Sequence, residues 1–295
     1  MKIFIGWSEC SEIAARLERF LLQVNKNRVS VSYSGDLPHG GTWFSDLTKM
    51  LHDADVAFLC VVPASKPSWL LYEAGVLSET TLSRYTASGE PCKQKTPHVI
   101  PLLFGIDSKK FADTFDPLTR IEKCVFEREA MKRLLSSVNL MHYHMSVKSK
   151  SLNSRTKLPT FLPDKELVRN FEKFFPSFER DIRRLMAAND LDQNLGSYLS
   201  KWHDLGSPTE LMMNTLQIHA KALLELLRLD IMSLNKDDVE VYTSERRNSL
   251  QVFRSDIMHH VERIGYVTEL KHLEQSVNEL ERLLTNTDGK VDTLY

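Results

Sequence analysis

Two almost uninterrupted apolar runs, DVAFLCVV (55–62) and HVIPLLFG (98–105), limit the fold of this chain more than any other feature. A strand with one face in water alternates apolar and polar residues, whereas a strand apolar at every position must be covered on both faces. The segments around them supply that cover. KIFIG (2–6) is a short β-type run, and SEIAARLERFLLQV follows with Ile13, Leu17, Phe20, Leu21 and Val24 on one helical face. RVSVSYS (28–34) alternates like a strand, GDLPHGG (35–41) is rich in turn residues, and TWFSDLTKMLHDA has a helical pattern. SWLLYEAGVLSETTLSRY predicts a helix with Ser68 as its N-cap, and a weak strand near IEKCVF precedes the helix EREAMKRLLSSV. Strands that alternate with helices predict an α/β fold with a doubly wound parallel sheet.

The pattern changes after residue 144. Residues 145–164 lose periodicity and gain Ser, Lys and Pro, so they are expected to form a linker or long loop. Residues 165–295 are expected to be all-α, a bundle suited to oligomerisation or sensing. ELVRNFEKFFPSFERDIRRLM places Leu167, Phe171, Phe174, Phe178, Ile182 and Leu185 on one face, with Pro176 expected to kink the helix. LMMNTLQIHAKALLELLRLDIMSL (211–234) is apolar nearly all round and is expected at the centre of the bundle. Leu270, Leu273, Val277, Leu280 and Leu284 recur at three- and four-residue spacing, as in an amphipathic bundle helix.

Composition narrows the function classes. With 295 residues and 42% hydrophobic content, the chain can build one large domain or two ordinary ones. A formal net charge of -1 gives no general attraction to nucleic acid or anionic membrane, so neither partner is expected. The opening MKIFIGW lacks the length and cleavage chemistry of a signal peptide, and no apolar stretch is long enough to span a bilayer. Cys10, Cys60, Cys92 and Cys124 are far apart with no CxxC pair, which points to reduced thiols, a cytoplasmic location and no bound metal.

In an open parallel sheet, ligands bind outside the carboxyl ends of the strands. Gly6-Trp7-Ser8 falls there after the first strand, the 35–43 stretch ending at Trp43 after the second, and Trp69 with Glu73 after the third. Aromatic faces at that end suit a planar ring, or they plug the end of the sheet. Trp69 and Glu73 are four residues apart and share a helical face. Glu73 is open to two explanations: a first-turn acid favoured by the helix dipole, or a desolvated carboxylate set up for chemistry. With no GxGxxG after the first strand and no GxxxxGK[ST], a glycine-cradled phosphate is not expected.

Read in order, KIFIGWSECSEIAARLERFL, GDLPHGGTWFSDLTKMLHDADVAFLCVVPAS, PSWLLYEAGVLS, VIPLLFGI and FDPLTRIE resemble bacterial Toll/interleukin-1 receptor (TIR) domains. The resemblance is strongest to stand-alone NAD-cleaving members, and it covers residues 1 to about 186. Its most specific part is the Trp69-x-x-x-Glu73 step followed by Ala-Gly. It implies a flavodoxin-like sheet and cleavage of the nicotinamide–ribose bond of NAD+, giving linear or cyclic ADP-ribose in antiphage defence. NAD+ is then a substrate, and no cofactor is required. By the same resemblance Glu73 is the catalytic carboxylate and Trp69 shapes the cleft, with Gly6, Trp7, Ser8 and Trp43 as further substrate-binding positions. The loop Asp36-Leu37-Pro38-His39-Gly40-Gly41 then gates the site and contacts a neighbouring copy, so self-association through the TIR domain and the helical region is expected.

Three alternatives stay open. A non-enzymatic TIR assembly module would make Glu73 structural. A nucleoside deoxyribosyltransferase would use the glutamate on a different glycosidic bond. Arg254-x-x-x-x-His259 has the spacing of helical HEPN-type ribonucleases, a spacing that also occurs often by chance. His259-His260 and His142-x-His144 are expected to be surface histidines, since no carboxylate or cysteine stands at zinc-type spacing.

Overall fold

A computed structural model describes residues 1–26, 28–33, 43–82, 98–115, 118, 123–150, 164–204, 210–232, 236–264 and 267–288. The loop Asp36–Gly41, Cys92, and the side chains of Trp43, Trp69, His142 and His144 lie outside the described residues. The chain divides into two units, Met1–Phe178 and Glu179–Tyr295.

The first unit is an α/β structure. Its elements are β1 (Lys2–Trp7), α1 (Ser11–Val24), β2 (Ser30–Tyr33), α2 (Trp43–Asp53), β3 (Val56–Val61), α3 (Pro67–Leu82), β4 (His98–Leu103), α4 (Ser108–Thr114), β5 (Cys124–Val125), α5 (Arg128–Lys150) and the start of α6 (Asp164–Asp204). The five strands form one sheet in the order β2-β1-β3-β4-β5, and every pairing is parallel. The apolar run on β3 sits at the centre of this sheet with all six residues buried, as its composition requires.

Successive strand residues face opposite sides, so register decides what each helix covers. Phe4 of β1 pairs with Ala57 of β3, and both pack on Leu47 and Leu51 of α2. Farther along the same side, Leu59 and Val61 pack with Leu70 and Ala74 of α3 and with Phe111 and Phe115 at α4. A separate aromatic cluster joins α1 to the start of α6. There Phe20 stacks on Phe178 with ring centroids 4.2 Å apart, and Phe171 and Phe175 meet Phe20 edge-on.

Several sequence expectations change here. α3 begins at Pro67, so Ser68 is inside the helix and not its N-cap. Proline suits a first helical position, where its missing N–H costs nothing. α5 continues to Lys150 and α6 begins at Asp164, so helix replaces part of the expected 145–164 linker, and residues 151–163 are outside the description. α6 runs through an exposed Pro176. Phe175, and not Phe174, is the buried member of its stripe, because Phe171, Phe175, Phe178 and Ile182 hold the helical repeat more closely. The short α4 had no periodic signal. Its start is fixed by Asp107, whose carboxylate accepts from the Lys109 and Lys110 amides at 2.8 Å.

The elements of the second unit are all helices among the described residues: the end of α6, α7 (Glu210–Met232), α8 (Lys236–Ile264) and α9 (Thr268–Asp288). Leu191, Leu195 and Tyr198 of α6 share one core with Leu223 and Leu227 of α7, Phe253 and Ile257 of α8, and Leu270, Leu273, Val277, Leu280 and Leu284 of α9. The expectation that α7 is apolar all round and central is not met. It buries one face and exposes Ile218 and Leu229 on another. Among the described residues no helix is long and apolar enough to cross a membrane.

Candidate active site at the carboxyl edge of the sheet

The β1–α1 and β3–α3 turns meet at the carboxyl edge of the sheet, and Ser8 and Ser65 join them. Ser65 Oγ donates to the Ser8 carbonyl at 3.1 Å and accepts from the Val62 amide at 3.0 Å. Ser8 Oγ accepts from the Lys66 amide at 3.1 Å. Both serines are buried. Ser8 thus spends an acceptor on holding two turns together. Ser65 carried no signal of this in the sequence, since a serine between two apolar elements reads as an ordinary loop residue. Glu9 follows at φ 60°, a left-handed conformation that reverses the chain into α1, and its carboxylate pairs with Lys66 Nζ at 2.6 Å.

Glu73 lies in α3 beyond the first turn, which carries no acidic residue. The helix-dipole explanation of this glutamate therefore fails, because the dipole acts within the first turn. Its side chain has no exposed surface. The carboxylate rests against the backbone of β1 at Gly6, whose register partner is Leu59. The next residue along each strand, Trp7 and Cys60, projects to the opposite face of the sheet. The structure therefore brings Gly6 and Glu73 together, turns Ser8 into a backbone clamp, and directs Trp7 to the other side. Among the described residues, the buried Trp7 indole N–H has no hydrogen-bond partner. Such an orphan donor costs on the order of 1–3 kcal/mol and is often satisfied by a ligand or by water.

Cys10 and Cys60 lie close by, with Cys10 Sγ donating to the Cys60 carbonyl at 3.8 Å. Burial pushes the Cys10 thiol up to about 12, with Glu12, Glu9 and Glu73 adding to the effect and the Ser8 backbone opposing it. Burial pushes Cys60 well above the ordinary thiol range, with Cys10 and Glu73 adding to the effect. Neither is a thiolate at neutral pH, so neither serves as a nucleophile. Three carboxylates, Glu9, Glu12 and Glu73, stand near these thiols, and of them Glu73 is the one with no exposed surface.

Elsewhere, a cavity of about 840 Å3 is lined by His98, Val99, Lys123, Arg133 and Met141 among others, and Glu73 does not line it. It lies where β5, two residues long, pairs only with Leu102 and Leu103 and leaves the first half of β4 without a described neighbour on that side. Arg254 pairs with Glu281 at 2.6 Å, and His260, expected at the surface, is buried and bonded to Tyr198. A histidine engaged in the core is unavailable to bind a metal. Among the described residues no group of His, Cys, Asp and Glu could hold a metal ion. No family model, curated protein or solved structure matches this chain, so the chemistry of the site rests on its own geometry.

Proposed function

We propose that this chain is a TIR-type NAD+ glycohydrolase in which Glu73 is the catalytic carboxylate. The observation that carries the proposal is the placement of the Glu73 carboxylate against the backbone near the carboxyl end of β1, past the reach of its own helix dipole. The strand order β2-β1-β3-β4-β5 supports a flavodoxin-like reading of the sheet, and in such sheets ligands bind at this edge. NAD+ holds its nicotinamide on ribose through a cationic pyridinium. When that C–N bond breaks, nicotinamide leaves as a neutral molecule and needs no general acid. Positive charge then builds on the ribose as an oxocarbenium ion, which an anionic carboxylate stabilises. Water adding at the same carbon gives ADP-ribose and a proton, and capture by the adenine ring gives a cyclic product.

Trp69 and Trp43 belong to the proposal as ring-contacting residues, and self-association of the chain belongs to it as the route to a complete site. A cytoplasmic effector of immune signalling is the setting that this activity fits. The test is direct. The purified chain is incubated with NAD+ and the products are resolved by mass spectrometry, beside Glu73→Gln. Release of nicotinamide by the parent and its loss in the variant support the proposal. A parent that leaves NAD+ intact at high protein concentration but cleaves a deoxynucleoside would replace it with the transferase reading. One observation favours a second reading, an assembly module without turnover: Glu73 has no exposed surface, as a structural glutamate would.

A further inference from the structure

We propose that Gly6 is the positioning residue for the Glu73 carboxylate, holding it at the carboxyl edge by leaving the space that a side chain would fill. The inference rests on the NAD+ cleavage reading, but its geometry stands apart from it. A Cβ on Gly6 would overlap Glu73 Oε2 and would lie 2.7 Å from Leu59 Cδ2 and 3.1 Å from Glu73 Cδ. The first two approaches are closer than real Cβ atoms essentially ever show. The carboxylate therefore occupies the place of the missing side chain, packed on the strand backbone itself.

Glycine is needed here for space and not for backbone conformation. Gly105 is the glycine with positive φ among the described residues, and Gly6, inside β1, is not. An alanine at position 6 would meet no backbone strain. What it would strike are the ends of two flexible side chains, Glu73 and Leu59, and not another strand. The sheet can survive the substitution while the carboxylate is pushed out of place. Gly75, in α3 beside Glu73, is the natural contrast, because a Cβ there would meet nothing within 4 Å. A carboxylate confined against a strand has little freedom to swing, and that confinement is what a charge-stabilising group requires.

The test has two arms in the full chain. In the first, Gly6→Ala and Glu73→Ala are made singly and together, and unfolding midpoints in denaturant are compared, with no NAD+ present. Gly6→Ala should lower the midpoint in the parent and lower it less when Glu73 is already alanine. In the second, Gly6→Ala should reduce kcat roughly ten- to a hundredfold with KM within about threefold, while Gly75→Ala stays at the parental rate. Additive midpoints, or a parental kcat in Gly6→Ala, overturn the inference. Additive midpoints with an inactive Glu73→Gln mean that Gly6 fails as the positioning residue while the NAD+ reading stands. Non-additive midpoints with a fully active Glu73→Gln mean that the contact is real but the catalytic reading fails, and the positioning role falls with it. Should Gly6→Ala not fold, Gly6→Ala/Glu73→Asp withdraws the carboxylate by one methylene and should fold. Failure of that pair would show that the clash is not with Glu73 and would overturn the inference.

Discussion

Each unit buries a group that can carry charge, in different surroundings. In the helical unit, Tyr198 of α6 and His260 of α8 bond each other, Tyr198 Oη to His260 Nδ1 at 2.9 Å, and both are almost fully buried. This is a hydrogen bond between two side chains inside an apolar core, the usual way a fold accommodates polar groups. In the α/β unit, shape confines the Glu73 carboxylate: it lies where a residue other than glycine would put its Cβ. A mutually satisfied pair stabilises and specifies packing. A carboxylate buried against a strand is costly to hold there, and on the proposed reading that cost serves the chemistry at the sheet edge. The helical pair is a structural contact, and the sheet edge is where the proposed chemistry would take place.

Four measurements test that contrast, from the largest expected effect to the smallest. Glu73→Gln keeps the shape of the side chain and removes its charge. NAD+ turnover should fall by about 100-fold or more while the melting temperature stays within a few degrees. Turnover within a factor of two of the parent would dissolve the distinction between the two sites.

Leu223→Ala opens a cavity in the helical core, where Leu223 is fully buried. A loss of roughly 2–5 kcal/mol in the unfolding of that unit is expected from denaturant titration. A loss below about 1 kcal/mol would mean that the core is not packed as described.

Acidification separates the units by titration. Burial holds His260 below the ordinary histidine range, opposed by a hydrogen bond to the Met212 backbone and by Asp256, with His259 adding to the depression. Its folded value is depressed, so its neutral form contributes stability above the unfolded value near 6.5. That contribution is lost as the pH falls from there through the folded value. The melting temperature of the helical unit should fall as the pH is lowered below about 6.5, and His260→Gln should flatten the slope. An unchanged slope in the variant would remove His260 from the account.

The smallest effect concerns the turn junction. Ser8→Ala removes the acceptor for the Lys66 amide and should cost on the order of 1 kcal/mol in the stability of the α/β unit. If turnover falls tenfold with no loss of stability, Ser8 belongs with Glu73 as a site residue and not with the scaffold.

Much of the fold was legible in the sequence because periodicity is a local property. The α1 face of Ile13, Leu17, Phe20, Leu21 and Val24 is buried as its spacing predicts, and so are the five α9 residues from Leu270 to Leu284. β3 and β4 announced themselves as apolar runs. Where local signals were weak or competed, the expectation slipped. Phe174 and Phe175 are adjacent and equally apolar, and the position of Phe20 and Phe126 across the gap decides which one is buried. α7 is rich in leucine on several faces, so hydropathy alone could not show that Ile218 would be left outside. α4 is too short for a periodic signal, and its capping aspartate is visible only once the helix is known.

The candidate site divides along the same line. The sequence by itself determined that Glu73 would stand on a helix after a buried strand, in an apolar neighbourhood near the ligand end of a parallel sheet. It also determined that Gly6, Trp7 and Ser8 would lie at the carboxyl end of the first strand. Only the tertiary structure decided what these residues do to one another. Parallel pairing sets Gly6 beside Leu59, and α3 crosses above them so that the Glu73 carboxylate fills the space over Gly6. The same register sends Trp7 away with Cys60, and the meeting of two turns makes Ser8 a clamp for Lys66 and Ser65. The physical reason is that helix and strand periods are written in neighbouring residues. A contact between β1 and α3 depends on the register of a third element, β3, and no local pattern encodes that.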